Sequence, residues 1–244
     1  MNDALNGKVA ILTGASGGIG KVIADYLAKE GINLALLGGR NVETLNATAC
    51  AVKKRGVKCL VISGDLTDNA FLDGAVKKTA EFFGGIDILI NNAGSAINCP
   101  FEKVTEKQFD DIMDLDVKAP FFLTQKALPY LKKSDYATVI NVASVVGHTG
   151  YPLQSPYVAA KHALLGFSKS FANEVYKDGV RVHVISPGGV LTDMIKISRP
   201  DLAGEDMIMP EDVAKTIIFL LQNRTNAVID EILMHRVNKP PFQV

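Results

Sequence analysis

Tyr157 and Lys161 stand four residues apart in a stretch that opens with Ser155-Pro156, a favourable N-cap and first-turn pair for a helix. On a helix, the i, i+4 spacing puts both side chains on one face. A lysine ammonium beside a phenol favours the phenolate, and so does the positive end of the helix dipole. The spacing therefore predicts a tyrosine pKa drawn down from about 10 toward the working range. Such a tyrosine can protonate a nascent alkoxide or take the proton from an alcohol. Of the six tyrosines, Tyr157 alone has a lysine at i+4. A lone Y-x-x-x-K is more often a surface pair, so a further group is needed. Ser144 supplies it. It closes Asn141-Val142-Ala143-Ser144 at the end of an apolar run, where its hydroxyl can donate a hydrogen bond to a carbonyl oxygen held near Tyr157.

A second constellation lies near the N-terminus. Thr13-Gly14-Ala15-Ser16-Gly17-Gly18-Ile19-Gly20 follows one apolar run and opens a helical pattern. Glycines permit the tight turn and let backbone N–H groups approach a pyrophosphate at a helix N-terminus. Twenty residues on, Gly38-Gly39-Arg40-Asn41 ends the next apolar run. An acidic residue there meets a ribose 2′-hydroxyl, whereas an arginine accommodates a 2′-phosphate. Arg40 also precedes a helix, whose dipole disfavours a cation, so an anionic ligand explains it better than a solvated surface residue. NADP(H) is expected over NAD(H). Asp65-Leu66 and Asn91-Asn92-Ala93-Gly94 follow two further apolar runs, at the strand ends where open α/β sheets bind ligands. Read singly, Asp65 caps a helix as readily as it meets an adenine, and the asparagines cap a loop as readily as they touch a cofactor.

The elements that position these residues alternate. Apolar runs occur at Val9–Leu12, Ile32–Leu37, Val57–Ile62, Ile86–Ile90, Thr138–Val142 and Val180–Ile185. Their near-continuous hydrophobicity suits strands covered on both faces. Between them lie helical stretches at Ile19–Glu30, Val42–Lys54, Asn69–Phe83, Glu106–Lys132 and Pro156–Lys177, then Pro210–Gln222 and a last strand near Val228–Met234. The expected fold is α/β: a single-domain, Rossmann-like, doubly wound parallel sheet of about seven strands with helices on both faces. Residues 193–209 form the longest irregular stretch and are expected to be a flexible substrate flap.

Composition narrows the class. The 244 residues carry 26 Lys+Arg and 26 Asp+Glu, so nothing marks a nucleic-acid or membrane partner. Cys50, Cys59 and Cys99 form no C-x-x-C, and the four histidines form no ligand set, so neither a disulfide framework nor a metal is expected. No basic segment followed by a long apolar run opens the chain, and no run approaches the ~18 apolar residues of a membrane span. A cytoplasmic location is expected.

Together, T-G-x-x-x-G-x-G at Thr13–Gly20, Asp65-Leu66, Asn91–Gly94, Ser144, Tyr157-x-x-x-Lys161 and P-G-x-V-x-T at Pro187–Thr192 resemble the short-chain dehydrogenase/reductase family, its NADP-dependent carbonyl and 3-oxoacyl reductases in particular. The resemblance implies hydride transfer between a nicotinamide and a ketone or secondary alcohol, a 3-oxoacyl thioester or small hydroxy compound among them. It implies that Tyr157 is the general acid/base, that Ser144 polarises the carbonyl, and that Lys161 also holds the nicotinamide ribose. Cofactor contacts are expected from Gly14, Ser16, Gly17, Gly18, Ile19, Gly20, Arg40, Asp65, Leu66, Asn92, Ala93, Gly94, Tyr157, Lys161, Pro187, Gly188, Val190 and Thr192. Substrate contacts are expected from Ser144, Val146, His148, Tyr151, Gln154 and Gly188. A homotetramer or homodimer is implied, through the long helices beginning near Thr105 and Pro156. Two departures stand out. Asp116 occupies the place of an asparagine that completes a proton relay in the family. The C-terminal segment reads Glu231-Ile232-Leu233-Met234-His235-Arg236, without the family's glycine pair, which leaves the pocket's C-terminal wall undefined. The rival reading is a non-catalytic NADP-binding scaffold on the same fold, which Ser144, Tyr157 and Lys161 disfavour.

Overall fold

The apolar runs pair side by side and the stretches between them cross over as helices. The computed structural model describes residues 4–39, 41–199, 201–202 and 206–240. Its strands are β1 (Val9–Thr13), β2 (Asn33–Gly38), β3 (Cys59–Ser63), β4 (Ile88–Asn91), β5 (Thr138–Val142), β6 (Arg181–Pro187) and β7 (Glu231–Met234). They form one seven-stranded sheet in the order β3-β2-β1-β4-β5-β6-β7. Every pairing is parallel. The helices are α1 (Gly18–Lys29), α2 (Val42–Lys53), α3 (Asn69–Phe83), α4 (Glu106–Met113), α5 (Ala119–Leu131), α6 (Ser155–Val175), α7 (Asp193–Ser198) and α8 (Pro210–Gln222). This is the doubly wound Rossmann-like arrangement expected from the alternation.

Strand parity sorts the core. Ala10 and Leu12 of β1 face a cluster with α1, α2 and α8, whereas Ile11 between them faces a second cluster with α3, α5 and α6. A strand buried on both faces needs apolar residues at successive positions, which is why the runs are continuous. The chain winds outward from β1 to β3, then crosses back to β4 on the other side of β1. Strand ends diverge at that reversal, and the crevice beside it is where such sheets bind ligands.

Three elements differ from the sequence expectation. The stretch Glu106–Lys132 is not one helix: Asp114–Lys118 forms a π turn between α4 and α5, with the Ala119 N–H reaching the Asp114 carbonyl five residues back. Pro120 explains the break, because it has no N–H to give to the Asp116 carbonyl four residues earlier. The helix bearing Tyr157 begins at Ser155, so Gln154 rather than Ser155 takes the cap position. In the expected flap, residues 193–198 form α7, and Ile208 at the far end bridges to Val190.

A buried amide chain fastens α6 to the sheet. Asn91 Nδ2 donates to Asn141 Oδ1 at 2.8 Å and to Thr124 Oγ1 at 3.1 Å. Asn141 Nδ2 donates to Ser168 Oγ at 2.7 Å, and Ser168 donates onward to the Leu164 carbonyl at 2.7 Å. Asn141→Ala removes the central member and takes one hydrogen-bond partner from the buried Asn91 amide and one from the buried Ser168 hydroxyl. The expected loss is about 1–3 kcal/mol, read as a lowered urea midpoint with an unchanged slope. Asn46→Ala on the exposed face of α2 is the control, expected within about 0.5 kcal/mol of the parent.

Candidate active site

Two contiguous cavities lie along the C-terminal edge of the sheet. The larger, about 600 Å³, runs beside the β1–α1 turn. There Gly14 and Gly18 take φ of +67° and +50°, in the left-handed region that favours glycine. A Cβ on Gly20 would lie 2.1 Å from the Gly14 carbonyl oxygen, and one on Gly14 would lie 2.9 Å from Ala93 Cα. Thr13 and Asn92 brace the turn: Thr13 Oγ1 accepts from the backbone N–H groups of Asn92 and Ala93 at 3.0 Å, and Asn92 Nδ2 donates to the Thr13 carbonyl at 3.0 Å. The first turn of α1 has neither a side-chain cap nor an acidic residue. Its positive end therefore faces the groove unneutralised, as an anion such as a pyrophosphate requires.

Gly14, Ser16, Gly17, Gly18, Ile19, Asp65, Leu66, Asn92, Ala93, Gly94 and Thr192 all line this groove. Gly20 does not; it lies beneath the turn, where its missing side chain makes the turn possible. Asp65 also shapes its own loop, accepting from the Thr67 N–H at 2.9 Å and the Thr67 hydroxyl at 2.7 Å. Arg40 lies outside the described residues. The groove, its glycines and the open helix end fit a dinucleotide.

The second cavity, about 190 Å³, brings Ser144, Tyr157 and Lys161 together with Pro187, Gly188 and Val190. It shares Ile19, Asn92, Gly94, Thr192 and Met194 with the groove, so the two communicate. Ser144 Oγ donates to the Pro187 carbonyl at 3.2 Å. Lys161 is 4% exposed, and its Nζ lies 5.5 Å from the centre of the Tyr157 ring. The same Nζ donates to the Val142 carbonyl at 3.4 Å and ion-pairs with Asp116 Oδ2 at 3.0 Å. Asp116, 1% exposed, accepts on its other oxygen from the Ser95 N–H at 2.8 Å and the Ser95 hydroxyl at 3.1 Å. The π turn points this carboxylate at the lysine. Sequence reasoning did not find Ser95, because its partner is twenty-one residues away.

The pair changes the electrostatics expected of the tyrosine. Burial pushes the Tyr157 phenol up from its ordinary 10.0; Lys161 pulls it down, Asp116 pushes it up again, Ser144 pulls it down, and the net direction is up. This corrects the downward shift read from the i, i+4 spacing, which carries no information about desolvation or about a carboxylate from another element. Burial alone would lower Lys161, but Asp116 and the phenol outweigh it and hold the ammonium above its usual range. At neutral pH the site therefore presents a protonated tyrosine beside a charged lysine.

Of the expected substrate residues, Ser144, Val146, Tyr151, Gln154 and Gly188 line the second cavity. His148 does not. Its Nε2 lies 2.6 Å from Glu231 Oε1, the carboxylate oxygen that also accepts from Ser186 Oγ at 2.6 Å. Glu231 at the start of β7 draws the ring away, a partner eighty-three residues distant that the local sequence does not disclose. The expected flap contributes Met194, Ile195, Arg199 and Leu202, and the cavity is closed by residues not expected there: Gly189, His235, Arg236 and Lys239. The segment after β7 thus supplies the C-terminal wall.

The model of the short chain dehydrogenase family matches residues 8–203. A 3-oxoacyl-(acyl-carrier-protein) reductase of Staphylococcus aureus (strain N315) is 32% identical over 235 residues, spanning 93% of this chain and 95% of that protein. Among solved structures, an alcohol dehydrogenase from the archaeon Thermococcus sibiricus in complex with 5-hydroxy-NADP superposes with a TM-score of 0.87 at 26% identity, over 96% of this chain and 98% of that one. A short chain dehydrogenase from Mycobacterium paratuberculosis bound to NAD gives 0.86 at 25% identity, over 95% and 97%. With the glycine turn, the strand-end serine and the Tyr–Lys pair all in place, a match of this extent makes the chain a member of the short chain dehydrogenase family of oxidoreductases.

Proposed function

We propose that the protein is an NADP(H)-dependent reductase of ketones, which also oxidises the corresponding secondary alcohols. The observation that carries this reading is the convergence of Ser144, Tyr157 and Lys161 on one small cavity that opens into the groove beside the glycine turn. A bound nicotinamide supplies the hydride that ends on the carbonyl carbon. Tyr157, protonated at neutral pH, gives its proton to the carbonyl oxygen, and Ser144 donates a hydrogen bond to the same oxygen. The serine has one proton to donate, so it releases the Pro187 carbonyl to do this. Lys161 steadies the phenolate that remains, and Asp116 with the Val142 carbonyl fixes the lysine in position. In the oxidative direction the same phenolate takes the alcohol proton.

NADP(H) is favoured because β2 ends at Gly38 and Gly39-Arg40 follow it in sequence, with no carboxylate to meet a 2′-hydroxyl and a cation for a 2′-phosphate. The two superposable structures hold an NADP derivative and NAD, so the preference rests on this strand end. A 3-oxoacyl thioester or a small hydroxy compound is the substrate class proposed, in keeping with the staphylococcal relative. A homotetramer or homodimer is proposed through the helices that begin near Thr105 and Pro156, α4–α5 and α6, where Phe109 and Phe121 are left exposed and Phe121 lies against Phe167 of α6.

Three outcomes test this reading. Tyr157→Phe is expected to lower kcat for ketone reduction by about 10²- to 10⁴-fold while NADPH titration stays within about twofold of the parent. Arg40→Ala is expected to weaken NADPH binding about tenfold or more and leave NADH binding unchanged, measured by fluorescence titration; equal affinity for both cofactors in the parent overturns the preference. Asp116→Asn removes a negative charge that raises the Tyr157 pKa. Alcohol oxidation needs phenolate, so its rate rises with pH through that pKa. The rising limb of kcat/KM is expected at lower pH in the variant, and a limb at the parental pH or above contradicts the assigned role of Asp116.

A further inference from the structure

The cavity that holds Tyr157 has a one-signed lining. Lys161, Arg199, Arg236 and Lys239 all border it, and among the described residues no Asp or Glu does so. Two of these charges are already neutralised. Lys161 pairs with Asp116, and Arg199 is held bidentately by Asp201 at 2.8 and 2.6 Å while its guanidinium lies over the Tyr151 ring. Arg236 has no carboxylate partner among the described residues. Its polar contact is to Met207 Sδ at 3.8 Å, a weak acceptor. Asp201 is near enough to feel Arg236, but both its oxygens are engaged by Arg199. Lys239 likewise has no carboxylate partner among the described residues.

The position of Arg236 is built. Gly188 N–H donates to the Met234 carbonyl at 2.8 Å, which ties the end of β7 to the loop after β6. A Cβ on Gly189 would lie 3.6 Å from Arg236 Cδ, so the bare glycine backbone makes room for the arginine stem. Arg236 is thereby held, half-buried, at the cavity wall. The guanidinium presents five donors and meets no carboxylate among the described residues, and a ligand oxyanion would supply that partner with up to two parallel hydrogen bonds.

We propose that the substrate carries an anionic group, a carboxylate or a phosphate, besides its carbonyl, and that Arg236 binds that group with Lys239 adding to the field. The cavity's modest volume, about 190 Å³, suits a compact molecule that places both groups inside it. This inference rests on the carbonyl-reductase reading for the identity of the site, but the anion site itself is open to a test that needs no turnover.

The test is calorimetric titration of the full chain saturated with NADP⁺, using three six-carbon probes: hexanoate, hexyl phosphate and neutral hexanamide. At least one anion is expected to bind ten times more tightly than hexanamide. Arg236→Gln is expected to weaken that anion about ten- to hundredfold and to leave hexanamide unchanged. Arg236→Lys restores part of the loss, which separates a charge effect from a folding defect. Whichever of hexanoate and hexyl phosphate binds more tightly names the group. Equal binding of all three probes, no measurable anion binding, or anion binding untouched by Arg236→Gln overturns the proposal. If an anion binds through Arg236 but no 3-oxo acid or other ketone is reduced, the anion site stands and the reductase reading falls. If ketones are reduced but 3-oxohexanoate keeps its KM in Arg236→Gln, the reductase reading stands and the anion site falls.

Discussion

Removing an ammonium from water costs several kcal/mol unless other groups replace its hydration, and Lys161 is 4% exposed. Three groups replace it, each from a different part of the chain: the Asp116 carboxylate, the Val142 carbonyl at the end of β5, and the phenol of Tyr157 one helical turn away. The site can exist only where these parts meet. The sheet order brings β4 and β5 together, the Asn91–Asn141–Ser168 chain fastens α6 across them, and the π turn lowers Asp116 onto the lysine. The charge that the proposed catalysis needs is also the charge that the fold must compensate.

Compensation alters the chemistry. An asparagine beside Lys161 would leave the full ammonium field on Tyr157. The carboxylate instead shares that field, raises the lysine and adds to the burial that raises the tyrosine. The result is a tyrosine tuned as an acid at neutral pH, which suits protonation of a nascent alkoxide more than abstraction from an alcohol. Ser95 completes the arrangement by occupying the second carboxylate oxygen with its N–H and its hydroxyl, so Asp116 has a fixed orientation.

How much of this could be read from residues alone depends on the range of each interaction. The glycine turn, the strand-end serine and the Tyr157–Lys161 pair are local patterns, and the buried strands announce themselves by continuous apolar runs, so the sheet and the centre of the site were legible. Features set by distant partners were not. His148 looked like a pocket residue because Glu231, its partner, lies eighty-three positions away. The stretch Glu106–Lys132 looked like one helix because a single proline weighs little against a long amphipathic pattern, although Pro120 withholds the donor that the Asp116 carbonyl would need. The sign of the tyrosine shift was missed because spacing says which groups are neighbours and nothing about how far water has been removed. Arg236 was visible only as a departure at the end of the chain, without a place in space.

The two cavities divide the handling of negative charge between backbone and side chains. Among the described residues, the groove that fits a dinucleotide is bordered by Asp65, Asp111, Asp114 and Asp193, against a single lysine, Lys107. Three of those acids are neutralised by neighbouring lysines: Asp111 by Lys107, Asp114 by Lys118 and Asp193 by Lys196. Side-chain cations along the described groove therefore contribute little to holding a pyrophosphate. That work falls to the open N–H groups of α1 and the partial charge at its first turn, dipoles fixed in place by the glycines. The neighbouring cavity has the opposite composition, with Arg236 and Lys239 at its wall and no acid among the described residues of its lining. Backbone dipoles serve a ligand common to many proteins of this fold, because their geometry follows from the turn itself. A side-chain cation held at the wall by the stretch after β7 would serve the anionic group proposed for the substrate, because its place is set by sequence and not by the turn.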